Sequence, residues 1–380
     1  MNESVLIIEQ GFLKPRGPKV VHGVELFRLN LMRELLANGV EVSVVAERSW
    51  RARIEAHFAR EQRLPHGIYA PAFGGVPGSG LLGAIKARRA GRRWDAVMFG
   101  NARLGMVPAM YWASWMDLAP RRLLFAHREP GDTFLDAVST LSFDVIANSE
   151  WVAQWYRGQV SGRVDVCYGL SNADEFVPAD RASTLEVRAG GSTAVEGLFH
   201  LCLLGKLPSI SKGQERAIAA LRLLPDRVRR RVRLHLAGFA KPPSFDDPSI
   251  IAHPWMSADQ VPAFLRSMDV MLAVSTHETF SQAIVQGMLT GLAVVASDIP
   301  VFSEKLDVLP PAERVLVPGS AAERRRGGIM TRSVQEIADA LTRLADDPGL
   351  RASLGREARE VALDRYVWNT RSFIDRYLFP

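Results

Sequence analysis

With 380 residues, 47% of them hydrophobic and 23% charged, the chain has the make-up of a globular protein of about two domains. That balance excludes a largely disordered or fibrous chain. No apolar run approaches the ~20 residues of a membrane span, and the longest candidate, 104–118, is interrupted by Pro108. The net charge of +6 is concentrated: from Arg48 to Arg103, eleven Lys/Arg stand against three acids, +8 for that stretch alone. The opening Met1-Asn2-Glu3-Ser4 has none of the basic, apolar and small-residue regions of a secretory leader. Two cysteines, Cys167 and Cys202, make neither a disulfide scaffold nor a metal site, which fits a reducing cytoplasm.

Residues 5–8, 40–45, 96–99, 123–126, 145–147 and 164–167 read as buried strands. They are continuous apolar runs, as in a parallel sheet covered on both faces. Between the first two, Val24, Phe27, Leu31 and Leu35 recur at three- and four-residue steps, and Asn38-Gly39 ends the helix. Strand, helix, strand is the parallel crossover unit. Residues 178–198 are small and polar without period and predict a linker. The alternation then restarts, with strands at 201–204, 234–237, 270–274, 293–296 and 315–317. Helices follow Gln214 and lie near 257–266, 282–289, 334–345 and 350–362. There is no short repeat, heptad or low-complexity tract. The expected architecture is α/β: two doubly wound domains, 1–178 and 179–362, facing across a cleft, with 363–380 returning to the first. Tyr366, Trp368, Phe373 and Tyr377 are the candidate anchors of that return. Ligands bind at the carboxyl edge of such sheets.

Two loops at that edge carry the chemistry. After strand 270–274 comes Ser275-Thr276-His277-Glu278-Thr279-Phe280-Ser281, and a helix starts near Gln282. Free N–H groups and the positive end of the helix dipole make an anion site there, with Ser281 able to cap. Glu278, itself anionic, suits hydroxyls beside a phosphate; spacing alone leaves open that Glu278 and Ser281 are only first-turn and capping residues. The second loop, Gly205-Lys206-Leu207-Pro208-Ser209-Ile210-Ser211-Lys212-Gly213, offers two lysines to a diphosphate, or to solvent. Neither a G-x-x-x-x-G-K-[ST] loop nor a G-x-G-x-x-G turn is present.

Taken in order, the motifs resemble the retaining nucleotide-sugar glycosyltransferases of the GT-B fold, the large bacterial family 4-like group with an E-x7-E signature. His22-Gly23-Val24-Glu25 resembles G-G-V-E. Asp144-Val-Ile-Ala-Asn-Ser-Glu-Trp-Val resembles D-x-I-x-x-x-S-E-x-V. Tyr168-Gly169-Leu170-Ser171-Asn172 stands at an altered Y-N-G-V-D-like turn. Gly205-Lys206-Leu207 with Lys212-Gly213 resembles G-R-L…K-G. Glu278-Thr-Phe-Ser-Gln resembles E-x-F-G-x, and Gly291-Leu-Ala-Val-Val-Ala-Ser-Asp resembles G-x-P-V-V-A-S-D. The resemblance implies that Lys206 and Lys212 hold a donor diphosphate. It places phosphate against the Thr279, Phe280, Ser281 and Gln282 helix start, and Glu278 and His127 on the donor sugar as the catalytic pair. Gly23 would allow close backbone approach, and Gly205 flanks the lysine loop. The bare residues allow His127 to be only a satisfied strand-end histidine. Three positions depart from the pattern: Gln286 replaces the second acid, which binds ribose in the family; His22 replaces the first glycine; Ser281 replaces a glycine.

The resemblance thus implies sugar transfer from a nucleotide-diphosphate donor to a hydroxyl acceptor with retention, without a cofactor or metal, in cell-surface glycan or glycolipid assembly. Two alternatives stand beside it: a scaffold of the same fold that has lost turnover, and a natural-product transferase with a soluble acceptor. The arginines of 49–60 and 81–93 alternate with Trp50, Ile54, Phe58, Leu81 and Leu82, as in helices lying on anionic membranes. Peripheral contact with the inner face of the membrane through 49–93, by a cytoplasmic protein with a lipid-linked or glycan acceptor, is the expectation. Solvated helix faces with core anchors are the alternative. A nucleic-acid partner is disfavoured by the lack of any groove-reading motif.

Overall fold

The computed structural model describes residues 3–9, 12, 23–58, 65–69, 79–89, 93–100, 103–169, 171–179, 198–306, 324–325 and 327–380. Two compact units emerge: Met1–Leu170 with Trp368–Pro380, and Ser171–Val367. The linker expected at 178–198 and the strand expected at 315–317 fall mostly or wholly outside the described residues, as does His22.

In the first unit the chain runs β1 (Ser4–Glu9), α1 (Gly23–Ala37), β2 (Glu41–Val45), α2 (Arg48–Phe58), β3 (Gly67–Tyr69), α3 (Ser79–Arg89), β4 (Ala96–Gly100), α4 (Val107–Trp115), β5 (Arg121–Ala126), α5 (Asp132–Val138), β6 (Asp144–Ala147), α6 (Glu150–Gln154) and β7 (Val164–Val166). All seven strands are parallel, in the order β3-β2-β1-β4-β5-β6-β7. Period-two alternation sends Leu6 and Ile8 to one face and Val5 and Ile7 to the other, so each strand feeds two cores. One core holds α3 through Ala84 and Ala87 and α4 through Ala109, Met110 and Ala113, with Met106 just before it. The other holds α1 and α2, with Trp50, Ile54 and Phe58 fully buried.

This corrects the reading of 49–93 as one surface. Its two basic helices lie on opposite faces of the sheet, and Trp50 and Phe58 are core residues that no membrane could reach.

The second unit runs β8 (Phe199–Leu207), α7 (Gln214–Arg222), α8 (Asp226–Arg229), β9 (Val232–Phe239), β10 (Ile250–Pro254), α9 (Val261–Arg266), β11 (Val270–Ala273), α10 (Gln282–Leu289), β12 (Ala293–Ser297), α11 (Pro300–Lys305), β13 (Arg324–Arg325), β14 (Gly328–Thr331), α12 (Val334–Asp346) and α13 (Pro348–Arg365). The sheet order is β10-β9-β8-β11-β12-β14-β13, parallel except for β13. Ser333 and Glu336 close a capping box on α12.

Trp368–Pro380, with α14 (Thr370–Phe373), belongs to the first unit. Phe373, Ile374, Tyr377 and Leu378 join the α1/α2 core, and Tyr377 donates a hydrogen bond to the Val166 carbonyl. Tyr366 does not share that anchoring: its hydroxyl donates to the Glu304 carbonyl within the second unit.

Candidate active site

In an open parallel sheet, the loops leaving neighbouring central strands in opposite directions leave a crevice between them. In the second unit that point lies between β8 and β11. The glycine loop and the Ser275–Ser281 loop leave the sheet there. β8 extends further than the apolar run suggests, so Gly205 and Lys206 belong to the strand's end, within a register shift between Leu204 and Leu207. Lys206 is exposed. A 3-10 turn, Ile210–Lys212, carries Lys212, and Gly213 then opens α7 at φ 76°. No other residue suits that position: a Cβ on Gly213 would stand 2.1 Å from the Val274 carbonyl oxygen. The two loops are tied by Thr276 N–H donating to Ser211 O at 2.9 Å.

Lys212 Nζ reaches Glu278 Oε1 at 2.5 Å, and Ser275 Oγ donates to the same oxygen at 2.9 Å. The side chains are 26% and 12% exposed, so the pair is screened only in part. A small cavity beside it is lined by Leu204, Lys212, Ser275, Glu278, Ser281 and Ala283. Ser281 occupies the N-cap position of α10, but its hydroxyl makes no cap hydrogen bond, against the sequence reading. Its backbone is left-handed instead, at φ 61° and ψ 81°, the conformation glycine adopts most readily. The replaced glycine is thus a backbone role that this serine fills under strain. The first α10 amides remain without intrahelical acceptors. Gln282 donates through its side chain to Ser171 Oγ at 2.8 Å. Thr279 is half-buried and Phe280 buried, while Gln286 lies half-buried on the second turn.

Sequence reasoning missed what lies under this loop. Lys305, the last residue of α11, is fully buried, and its Nζ has no hydrogen-bond partner. Its ammonium sits 4.1 Å from the centre of the Phe280 ring and 5.5 Å from that of Tyr366. Burial pulls its pKa down to about 8, against the opposing pull of Glu304 and Glu278. A lysine closing a short helix gives no signal of burial in the sequence.

The first unit has its own switch point, between β1 and β4. Glu9 ends β1 opposite Gly100, which ends β4. A Cβ on Gly100 would meet the Glu9 carboxylate at 1.6 Å, so glycine is required by close approach. Arg28 of α1 pairs with Glu9 at 3.4 Å, both side chains wholly buried, and lies 5.2 Å from the centre of the Phe125 ring. Arg28 was legible as a misfit: it sits four residues after Val24 and three before Leu31, on the apolar stripe.

His127 follows β5. Its ring stacks on Phe125 at 4.8 Å and meets Phe27 edge-on at 4.9 Å. Its Nε2 is buried without a partner. Burial, and secondarily the Arg28 charge, hold its pKa well below the ordinary histidine range, so the ring is neutral at pH 7. Gly23 is the first residue of α1 rather than part of a free loop. The Cys167 thiol is pushed up to about 12, mainly by burial, and is no nucleophile at neutral pH. Among the described residues, no three His, Cys, Asp or Glu cluster in a way that could hold a metal ion.

Residues 199–347 match the family model described as Glycosyl transferases group 1. A D-inositol 3-phosphate glycosyltransferase of Arthrobacter sp. (strain FB24) is 26% identical over 346 residues, covering 84% of this chain and 75% of that one. Anabaena Alr3699/HepE, solved in complex with UDP and glucose, superposes with a TM-score of 0.69 at 18% identity, over 96% of each chain. Sucrose-phosphate synthase from Thermosynechococcus elongatus gives 0.71 at 16% identity, over 97% of this chain and 96% of that one. The second unit thus carries a group 1 glycosyl transferase domain, and the chain's fold is that of the GT-B glycosyltransferases on which it superposes.

Proposed function

We propose that the chain moves a hexose from a nucleoside-diphosphate donor to a hydroxyl acceptor with retention, and that the donor diphosphate lies at the β8/β11 switch point. The observation that carries this is the Lys212–Glu278 pair beside the start of α10, where Ser281 makes no side-chain cap. A diphosphate competes with Glu278 for Lys212, and Lys206 and the amides of Phe280, Ser281 and Gln282 add charge and donors without a metal. Glu278, once released, accepts from sugar hydroxyls. Gln286 offers ribose a neutral amide. His127 serves as a neutral hydrogen-bonding group for a sugar hydroxyl through its unpartnered Nε2.

In the reaction the bond from the anomeric carbon to the diphosphate oxygen breaks. The leaving diphosphate takes the proton of the incoming hydroxyl, whose oxygen bonds the anomeric carbon on the same face. Catalysis is then positioning and stabilisation of the departing charge. The Anabaena protein was also solved with UDP-glucose, which makes a uridine diphosphate sugar the first donor to try. No described helix is long and apolar enough to cross a membrane; for a lipid-linked acceptor of the cell envelope, the attachment we propose is peripheral.

Gln286 favours a second reading, a scaffold without turnover. Release of UDP from UDP-glucose without acceptor separates the two: slow hydrolysis is expected of a transferase, and none of a scaffold. NMR of the product then reads the anomeric configuration, and inversion would reject retention in favour of a general base, with exposed Asp132 at the start of α5 the nearest candidate.

A further inference from the structure

α4 is built inside out. Ala109, Met110 and Ala113 face the core, as an amphipathic helix requires, and so does Met106 in the 3-10 turn Leu104–Met106 that leads into it. The outward stripe is apolar as well: Leu104 (53% exposed), Pro108, Tyr111 (44%) and Trp115 (80%), at steps of four, three and four. Met116 extends it. From Leu104 to Met116 there is no charged residue. Single exposed apolar side chains are ordinary, but a continuous stripe with two aromatic rings marks a contact surface.

α3 packs directly against α4. Its own outward stripe is Leu82, Lys86 and Arg89, all exposed, and Arg93 and Arg103 are exposed nearby in sequence. A dry protein interface would disfavour the lysine, and a nucleic acid would leave the apolar stripe unused. Tyr and Trp beside Lys and Arg is the chemistry of the membrane–water boundary, where rings lie among headgroups and cations meet anionic lipid.

We propose that the outward stripes of α3 and α4 together form a docking surface for an anionic membrane. This deepens the membrane part of the reading above and moves the contact: α2 has no share in it, and the insertion comes from Leu104, Tyr111 and Trp115. Attachment is then of two kinds. The cations draw the protein in over a distance that salt shortens, from about 10 Å at 0.1 M to about 3 Å at 1 M. The rings hold it by a contact that salt does not weaken.

The test is co-sedimentation of the full chain with vesicles of phosphatidylcholine alone or with phosphatidylglycerol, at low and high salt. The wild type is expected to prefer anionic vesicles and to keep a salt-resistant remainder. Tyr111→Ser with Trp115→Ser should lower binding by about tenfold or more and remove that remainder. Lys86→Glu with Arg89→Glu should abolish the preference for anionic lipid. Equal, negligible binding of the wild type to both vesicles overturns the proposal, as does binding undiminished in the Tyr111/Trp115 variant. A concentration-dependent dimer in vesicle-free buffer, lost in that same variant, would assign the stripe to a second copy and also overturn it. Hydrolysis of UDP-glucose in vesicle-free buffer should be the same in the wild type and both variants. Its absence from all three would sink the transferase reading while leaving the vesicle result to decide the surface.

Discussion

Lys212 Nζ and Glu278 Oε1 meet at 2.5 Å although 66 residues separate them, because β8 and β11 are neighbours whose loops leave the sheet at one switch point. Charge is balanced locally, and the pair lines the same small cavity as Ser281 and Ala283 at the start of α10. Lys212→Ala should weaken nucleotide binding by about 1.5–3 kcal/mol, the range for a lost hydrogen bond to a charged group. Glu278→Gln should leave nucleotide affinity nearly intact and lower turnover. Calorimetry with UDP alongside a turnover assay separates the two, and unchanged affinity in Lys212→Ala would move the diphosphate elsewhere. Gln286→Glu should preserve or tighten UDP binding if that side chain meets ribose.

Ser281 tests the backbone at the start of α10. At φ 61° a side chain is strained by about 1 kcal/mol, which glycine avoids. Ser281→Gly should therefore keep or raise Tm and keep nucleotide binding. Ser281→Val, β-branched in the left-handed region, should lower both. A Tm loss in the glycine variant would show that the hydroxyl, not the backbone, matters.

Lys305 should carry a stability penalty that varies with pH. Its folded pKa of about 8 lies below the ordinary 10.5, so the unfolded chain binds more protons between those values, and stability rises with pH through that window. Below pH 8 the full penalty applies, at most about 3 kcal/mol, offset in part by the Phe280 and Tyr366 rings. Lys305→Met should thus be more stable than the wild type at pH 7, with the gain shrinking from pH 8 upward. Denaturant unfolding at pH 7 and pH 9.5 measures it. A variant less stable at both would show that the ammonium contributes more than its burial removes.

In the first unit, Arg28→Met removes the ion pair from the buried Glu9 carboxylate and should destabilise by about 3–5 kcal/mol. Adding Glu9→Gln should restore part of that loss, because the buried negative charge is gone. In the double variant the pKa of His127, followed by NMR, should rise but stay below the ordinary value, since burial is the larger cause. The same depression predicts stability present above about pH 6.5 and lost as pH falls below it, because the unfolded chain then takes up a proton that the buried ring refuses.

Periodicity alone was enough to place the strands that are continuous apolar runs, β1, β4, β5, β9 and β12, and the helices α1, α7, α10, α12 and α13. Each buries a face whose spacing is written in the chain. β3 and β10 escaped because short strands with partly exposed residues leave no such run, and β14 because its four residues hold only Ile329 and Met330 between Gly328 and Thr331. α9 was expected from 257 and starts at Val261. The motif loops were legible because glycine and lysine at a strand's end have few other uses. Which groups meet across those loops was decided only by strand order. Lys212 finds Glu278 because β11 inserts beside β8, the first strand of its sheet, a pairing that no local pattern encodes. The basic stretch shows the converse. Its charge is plain in the sequence, but right-handed crossovers put α2 and α3 on opposite faces, so the tertiary structure turned one linear patch into two surfaces and set Trp50 in the core and Trp115 in the solvent.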